Sequence, residues 1–324
     1  SLKVLKNISG IVMLAAGTSH ISSLVARYWI EKIAKIPVAC ELASEYHYRD
    51  PVTNGFNTVI AISQSGESLD TLKAMNYAAK KKLTTIALVN VPDSTIARNS
   101  DVILATKAGP EIGVASTKAF TAQLTVLISL AIAIAEAKNE ITVDQSNELQ
   151  RKIRLLPGLV GKTLDCFDVI KPIASGLKSA SSALFLGRGY LFPIALEGAL
   201  KLKELSYIHA EGFAAGEMKH GPIALIEEGL PVIALLANDN LMEKVISNLK
   251  EAAARGARII LIADERAAVE IDFAAEVVTV PAVDPLLAPI LLTIPVQILA
   301  YLTALDKGTD IDQPRNLAKS VTVE

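Results

Sequence analysis

The chain has 324 residues, enough for two ordinary domains or one large one, and its 51% hydrophobic content supplies ample core. Its 32 basic and 34 acidic residues are spread along the chain and leave a net charge of −2. That balance excludes the electrostatic footprint of a nucleic-acid or anionic-membrane binder and points to a small substrate. Cys40 and Cys166 stand far apart without metal-ligand spacing and read as reduced thiols of a cytoplasmic protein. Four histidines (His20, His47, His209, His220) leave little scope for a metal cluster, so neither metal nor cofactor is expected.

Residues 1–10 are polar and basic and lack a following small-residue cleavage pattern, so no signal peptide is expected. The chain opens on Ser1 rather than methionine, as the edge of an excised fragment would. A strand-like run, Ile11 to Ala15, ends at Gly17-Thr18-Ser19, and a helical pattern follows. The next apolar run, Asn57 to Ile62, passes directly into Ser63-Gln64-Ser65-Gly66-Glu67-Ser68 and then into another helical pattern. Three hydroxyls and a glycine at a strand-to-helix turn suit a phosphate: a helix N-terminus offers unpaired N–H groups and a positive dipole end, and Gly66 lets the backbone come close. No lysine lies in the turn and the G-x-x-x-x-G-K-[ST] spacing of a nucleotide loop is absent, which favours a single phosphate on a small molecule. A serine helix cap that binds nothing would explain one serine, but three with a glycine exceed what capping needs.

Further strands are expected at Thr84 to Val89 and Asp101 to Thr106, followed by an apolar helix over 119–137. The stretch 137–171 is charged, helical in pattern and punctuated by Pro157-Gly158, as a connector would be. The order of elements then repeats: Ser182 to Leu186 ends at Gly187-Arg188-Gly189, and strands follow at Leu230 to Leu236, Ala257 to Ile262 and Glu276 to Val280, before a second apolar helix over 285–305. The interval from Gly17 to Ser63 is 46 residues and that from Gly187 to Ala237 is 50, so two copies of one α/β domain are expected, each a parallel sheet with helices on both faces. The two apolar helices approach membrane-spanning length, but Thr121, Gln123, Glu136, Pro289, Pro295 and Gln297 within them, and the lack of basic flanks, make them buried helices rather than spans. At the position matching the Ser63 turn the second copy has Ala237-Asn238-Asp239-Asn240, whose aspartate would repel phosphate. The phosphate is therefore expected in the first copy only, with Gly17, Thr18 and Ser19 beside the Ser63 turn.

The second copy concentrates ionisable groups instead: Glu197, Lys201, Lys203, Glu204, His209, Glu211, Glu217, Lys219 and His220. Leu196, Leu200, Leu205 and Ile208 follow helical spacing and place Glu197, Lys201 and Glu204 within a turn of each other on a neighbouring face, which in a bare helix is a solvated salt-bridge face. The segment Ala214 to Ile223 is rich in glycine and proline and reads as a loop that presents His220 to solvent or ligand. A polar tail, Asp312 to Lys319, follows the last helix; tails of this kind are usually frayed.

Gly17-Thr18-Ser19, SQSGE at 63–67, EIGVASTKAF at 111–120, ALEGALKLKE at 195–204, KHGP at 219–222 and DQPRNLAKSVTVE at 312–324 together resemble the sugar-isomerase (SIS) half of glutamine:fructose-6-phosphate aminotransferases, in the same order and over nearly the whole chain. The resemblance implies two tandem SIS subdomains of flavodoxin-like three-layer α/β architecture. Their bounds are 1–141 for the first, 142–173 for a helical connector, 174–311 for the second and 312–324 for the tail. It implies fructose 6-phosphate as substrate, glucosamine 6-phosphate as product, a homodimer with a shared active site, and a glutaminase partner domain, missing from this chain, that would supply ammonia. Carried over by position, the phosphate site falls on Ser19, Ser63, Gln64, Ser65 and Ser68, the last often threonine in relatives, while Val114, Ser116 and Ala318 lie along the sugar. Lys319 matches the lysine that forms a Schiff base with the C2 ketone, Glu204 the proton shuttle between C1 and C2, His220 the ring-opening acid/base contributed by the partner subunit, and Lys201 an auxiliary lysine. Ala16 stands where many relatives have cysteine. Two other readings of the same fold are a free-standing glucosamine-6-phosphate deaminase and a non-catalytic sugar-phosphate sensor.

Overall fold

A computed structural model describes residues 2–269 and 271–320; Ser1 and the last four residues of the 312–324 tail lie outside the described residues. The chain forms two compact units, one that ends at Ile153 and takes up the chain again from Ala318, the other Arg154–Leu317.

The first unit contains α1 (Leu2–Asn7), β1 (Ile11–Ala15), α2 (Gly17–Trp29, continued by a π-helical turn Ile30–Ala34), β2 (Val38–Leu42), α3 (Ala43–Tyr46) and β3 (Thr58–Ser63). These are followed by α4 (Leu69–Lys80), β4 (Thr84–Val89), α5 (Thr95–Arg98), β5 (Val102–Ala105) and α6 (Lys118–Ala137). Its sheet is parallel throughout, in the order β2-β1-β3-β4-β5. β1 and β3 are buried along their whole length, as strands covered on both faces must be, and their near-continuous Ile, Val, Leu and Ala content follows from that. Each fully buried Ile, Val or Leu contributes about 1.5–3 kcal/mol. One layer of this core joins Val12, Leu14, Val59 and Ala61 to Met75 and Ala78 of α4 and Ile96 of α5.

α7 (Val143–Thr163) leads into the second unit, and Pro157-Gly158 lies inside it. The expected punctuation is therefore a continuous helix, because its amphipathic pattern carries the chain past a proline that costs one backbone hydrogen bond. After a 3-10 turn (Leu164–Cys166) come α8 (Phe167–Leu177), β6 (Ser182–Gly187), α9 (Leu191–Ser206) and β7 (His209–Ala214). Two 3-10 turns (Ala215–His220 and Pro222–Leu225) precede β8 (Pro231–Leu236), α10 (Met242–Ala253), β9 (Arg258–Asp264), α11 (Glu265–Ala268), β10 (Glu276–Val280) and α12 (Ala288–Lys307). The second sheet reads β7-β6-β8-β9-β10, again all parallel, so the two units share one topology.

The sequence reading found four strands in each half; the structure has five. The added strands, β2 and β7, occupy the same edge of their sheets, where burial is partial and charged residues such as Glu41 and Glu211 are tolerated. The two apolar helices, α6 and α12, are long and apolar enough to cross a membrane, yet most of each is buried within its own unit, α6 against α2 and α12 against α8 and α9.

Candidate active site

In a doubly wound sheet a ligand sits beyond the carboxyl ends of the strands where the strand order reverses, and in the first sheet that point lies between β1 and β3. The chain leaves β1 through Gly17, at φ +53°, and leaves β3 through the 63–68 turn. Gly66 has φ +67°, and a Cβ there would overlap Ser94 Oγ, so the turn requires glycine on two counts. Glu67 fixes the outer side by accepting from the Thr95 N–H at the start of α5 (2.8 Å).

The cradle hydroxyls share a hydrogen-bonding pattern. Ser63 Oγ accepts from the Gly66 N–H (3.0 Å), Ser65 Oγ from the Glu67 N–H (3.1 Å), Ser68 Oγ from Thr71 Oγ1 (3.2 Å) and Ser19 Oγ from Gln123 Nε2 (3.0 Å). A hydroxyl that accepts keeps its proton to donate, and four such hydroxyls in the segments that follow β1 and β3 suit an anion. Ser68 occupies the N-cap position of α4 without capping it, which removes simple capping as the explanation of that serine. Thr18 lies in the first turn of α2 and Gln64 in the 63–68 turn. His20, next to Ser19, has its pKa lowered by burial, so at neutral pH it adds no positive charge; nearby Glu41 opposes this shift more weakly.

The first unit also brings Val114, Ser116, Ala318 and Lys319 together with a residue that the sequence reading did not single out, Glu111. Lys319 Nζ donates to the Gly113 carbonyl oxygen and lies 3.5 Å from Glu111 Oε2, while Ser116 Oγ donates to the same Oε2 (3.1 Å). Ser320, the next residue, places its hydroxyl 3.3 Å from Ser65 Oγ, so this segment reaches the serine turn itself.

The second unit holds the other cluster, on α9. Lys201 Nζ contacts Glu204 Oε2 and lies 3.7 Å from Glu197 Oε1. The solvated face that a bare helix would give is absent here: Glu197 and Lys201 are 0% and 1% exposed, whereas Leu196 and Leu200 are only half-buried. α9 packs between its sheet and α12, so the charged stripe faces inward, and Glu204 alone keeps about a fifth of its side chain open to solvent. His220 is exposed at the end of the first 3-10 turn rather than on an irregular loop; Met218 and Ala215 anchor that turn in the core, and Gly221, at φ +139°, breaks it. His209 and Glu211 sit on the edge strand β7, 3.5 Å apart, and Lys219 pairs with Glu251 at 2.7 Å; neither pair joins the α9 cluster. The described part of the tail is held at Arg315 rather than frayed. The Arg315 guanidinium lies 4.2 Å from the centre of the Tyr207 ring, and the Arg315 N–H donates to the Tyr207 hydroxyl (2.9 Å).

Sequence reasoning also missed Gln123 as a positioning residue. It is 1% exposed, and its Oε1 has no hydrogen-bond partner among the described residues. The available signal was an amide in the middle of an apolar helix, a cost that core packing alone does not explain.

The chain belongs to the SIS domain family, whose pattern matches residues 5–133 and 176–306, one copy in each unit. Within that family it resembles the isomerizing glutamine--fructose-6-phosphate aminotransferases. It is 51% identical over 321 residues to the one from Zymomonas mobilis and 49% identical over 321 residues to the one from Agrobacterium fabrum, matches that cover 99% and 98% of this chain. The chain spans about half the length of these relatives, 53% in both cases. Among solved structures, the C-terminal domain of glucosamine-fructose-6-phosphate aminotransferase from Francisella tularensis superimposes with a TM-score of 0.94 at 42% identity, covering 97% of this chain and 88% of that one. A glucosamine-6-phosphate deaminase from Thermotoga maritima superimposes with a TM-score of 0.80 at 26% identity, covering 99% and 93%.

Proposed function

We propose that this chain is the isomerase half of a glutamine:fructose-6-phosphate aminotransferase, which binds fructose 6-phosphate and, with ammonia from a glutaminase domain, forms glucosamine 6-phosphate. The observation that carries this reading is the direct link between the serine turn and the lysine-bearing segment, Ser65 to Ser320 with Lys319 adjacent. A cradle alone would suit any sugar-phosphate binder; an amine tethered beside it suits carbonyl chemistry. In the proposed reaction Ser19, Ser63, Ser65 and Ser68 donate to the phosphate. The Lys319 ammonium gives up a proton and its amine attacks C2 of the open-chain ketose: a C–N bond forms, the carbonyl oxygen takes up that proton and leaves as water, and an iminium remains. Ammonia then adds to the C2 iminium and expels the Lys319 amine, and Glu204, its carboxylate held by Lys201, takes the C1 proton of the resulting iminium and returns it to C2, which leaves the C1 aldehyde and C2 amine of glucosamine 6-phosphate. Without ammonia the lysine imine is hydrolysed back, and Glu204 moves the same proton on the open-chain ketone, whose C2 oxygen the Lys319 ammonium polarises, to give glucose 6-phosphate. His220 serves ring opening, and in a homodimer with a shared site it comes from the partner subunit. The cytoplasm, where thiols such as Cys40 and Cys166 stay reduced, suits this role.

The test is incubation of the chain with fructose 6-phosphate and no nitrogen source, with glucose 6-phosphate as the expected product. Binding without conversion would overturn the isomerase reading, and release of ammonia from glucosamine 6-phosphate as the faster reaction would favour the deaminase. Ser65→Ala is expected to weaken fructose 6-phosphate binding by about tenfold to 100-fold, since one hydrogen bond to a charged group is worth about 1.5–3 kcal/mol. An unchanged affinity in calorimetry would remove Ser65 from the cradle.

A further inference from the structure

We propose that Glu111 is the positioning residue for Lys319, holding its amine beside the cradle before substrate arrives; the proposal rests on the reading of Lys319 as the Schiff-base lysine. The Glu111 side chain is only 4% exposed, and a carboxylate so enclosed is costly unless every oxygen is satisfied. Its two oxygens have separate partners. Oε1 accepts from the backbone N–H groups of Thr117 (2.8 Å) and Ala119 (3.2 Å) at the positive end of α6. The N-cap residue Thr117 makes no capping bond to those amides with its own side chain, so Glu111 caps the helix from six residues upstream. Oε2 faces the reacting group: it accepts from Ser116 Oγ (3.1 Å) and lies 3.5 Å from Lys319 Nζ.

Lys319 is thereby held at two points of one short segment, the Glu111 carboxylate and the Gly113 carbonyl. A free lysine carries several rotamers, and fixing them in advance removes that ordering from the barrier to attack. The same carboxylate orders Ser116, next to the 113–115 bend on which Val114 lies, so one buried side chain sets both the amine and the segment proposed to run along the sugar.

The division of labour makes Glu111→Gln a specific probe. The amide oxygen can keep the α6 amides, while the amide NH2 that replaces Oε2 brings donors and no charge to the ammonium. In this variant the melting temperature and the fructose 6-phosphate affinity are expected to stay close to those of the original chain. The rate of borohydride trapping of the Lys319 adduct, read by mass on the peptide containing Lys319, should fall at least about tenfold, because displacement of a reacting atom by an ångström costs up to about 10²-fold. kcat should fall with it while KM holds. Glu111→Asp, which keeps the charge on a shorter arm, should retain more trapping than Glu111→Gln. Trapping in Glu111→Gln at the original rate would overturn the proposal while leaving Lys319 as the nucleophile. Loss of folding or of substrate affinity together with trapping would make Glu111 a structural residue only. Absence of any adduct in the unsubstituted chain would overturn the Lys319 reading itself.

Discussion

Lys319→Ala is expected to abolish formation of glucose 6-phosphate and of any borohydride-trapped adduct, lowering turnover by at least about 10³-fold, while fructose 6-phosphate still binds within a few-fold of its original affinity. The separation follows from the geometry. The cradle hydroxyls of Ser19, Ser63 and Ser68 take their hydrogen bonds from the Gly66 N–H, Thr71 and Gln123, none of which touches Lys319. Removal of the ammonium does not strand Glu111 either, because its carboxylate still accepts from Ser116, Thr117 and Ala119. The loss should therefore appear in kcat and not as unfolding. Collapse of sugar-phosphate binding in calorimetry of this variant would mean that the lysine belongs to the binding site, and residual turnover near the original level would remove it from the chemistry.

What the sequence made legible divides along physical lines. The central strands could be read because burial on both faces leaves near-uninterrupted apolar runs, as in Ile11–Ala15 and Thr58–Ser63. β5 and β10, at one edge of each sheet, were read too, but β2 and β7 at the other edge were not, since Val38–Leu42 and His209–Ala214 carry Glu41, His209, Glu211 and Gly212 in sequences that their half-exposed positions permit. The serine turn was legible because its donors are contiguous in sequence. Its supports were not: Gln123 reaches Ser19 across 104 residues, and Lys319 reaches Gly113 across 206. The burial of the charged face of α9 was not legible for a related reason. Helical spacing says which residues share a face, but whether that face meets solvent or another layer depends on α12, which lies far along the chain. Of the family-carried site residues, Ser65, Ser116 and Lys319 acquire partners that no spacing argument would have supplied.

The buried charges of α9 carry the largest expected effect on stability. Lys201→Met keeps side-chain length and apolar bulk but leaves Glu197, 0% exposed, and Glu204 facing each other without the cation between them. Breaking a buried ion pair by removing one partner costs about 3–5 kcal/mol, far more than an exposed pair is worth, because the remaining charge has no water to turn to. For a unit of this size each kcal/mol shifts the melting temperature by about 2–4 °C, so a fall of roughly 6–20 °C is expected in the unit that holds α9. A second substitution tells this mechanism from a packing defect. Glu197→Gln in the Lys201→Met background removes the uncompensated charge and should recover much of the lost stability, so the two changes are expected to be strongly non-additive. Activity should stay low in the double variant, because Glu204 still lacks the lysine that holds its carboxylate. Additive melting shifts would show that Lys201 contributes through its apolar stem rather than through its charge.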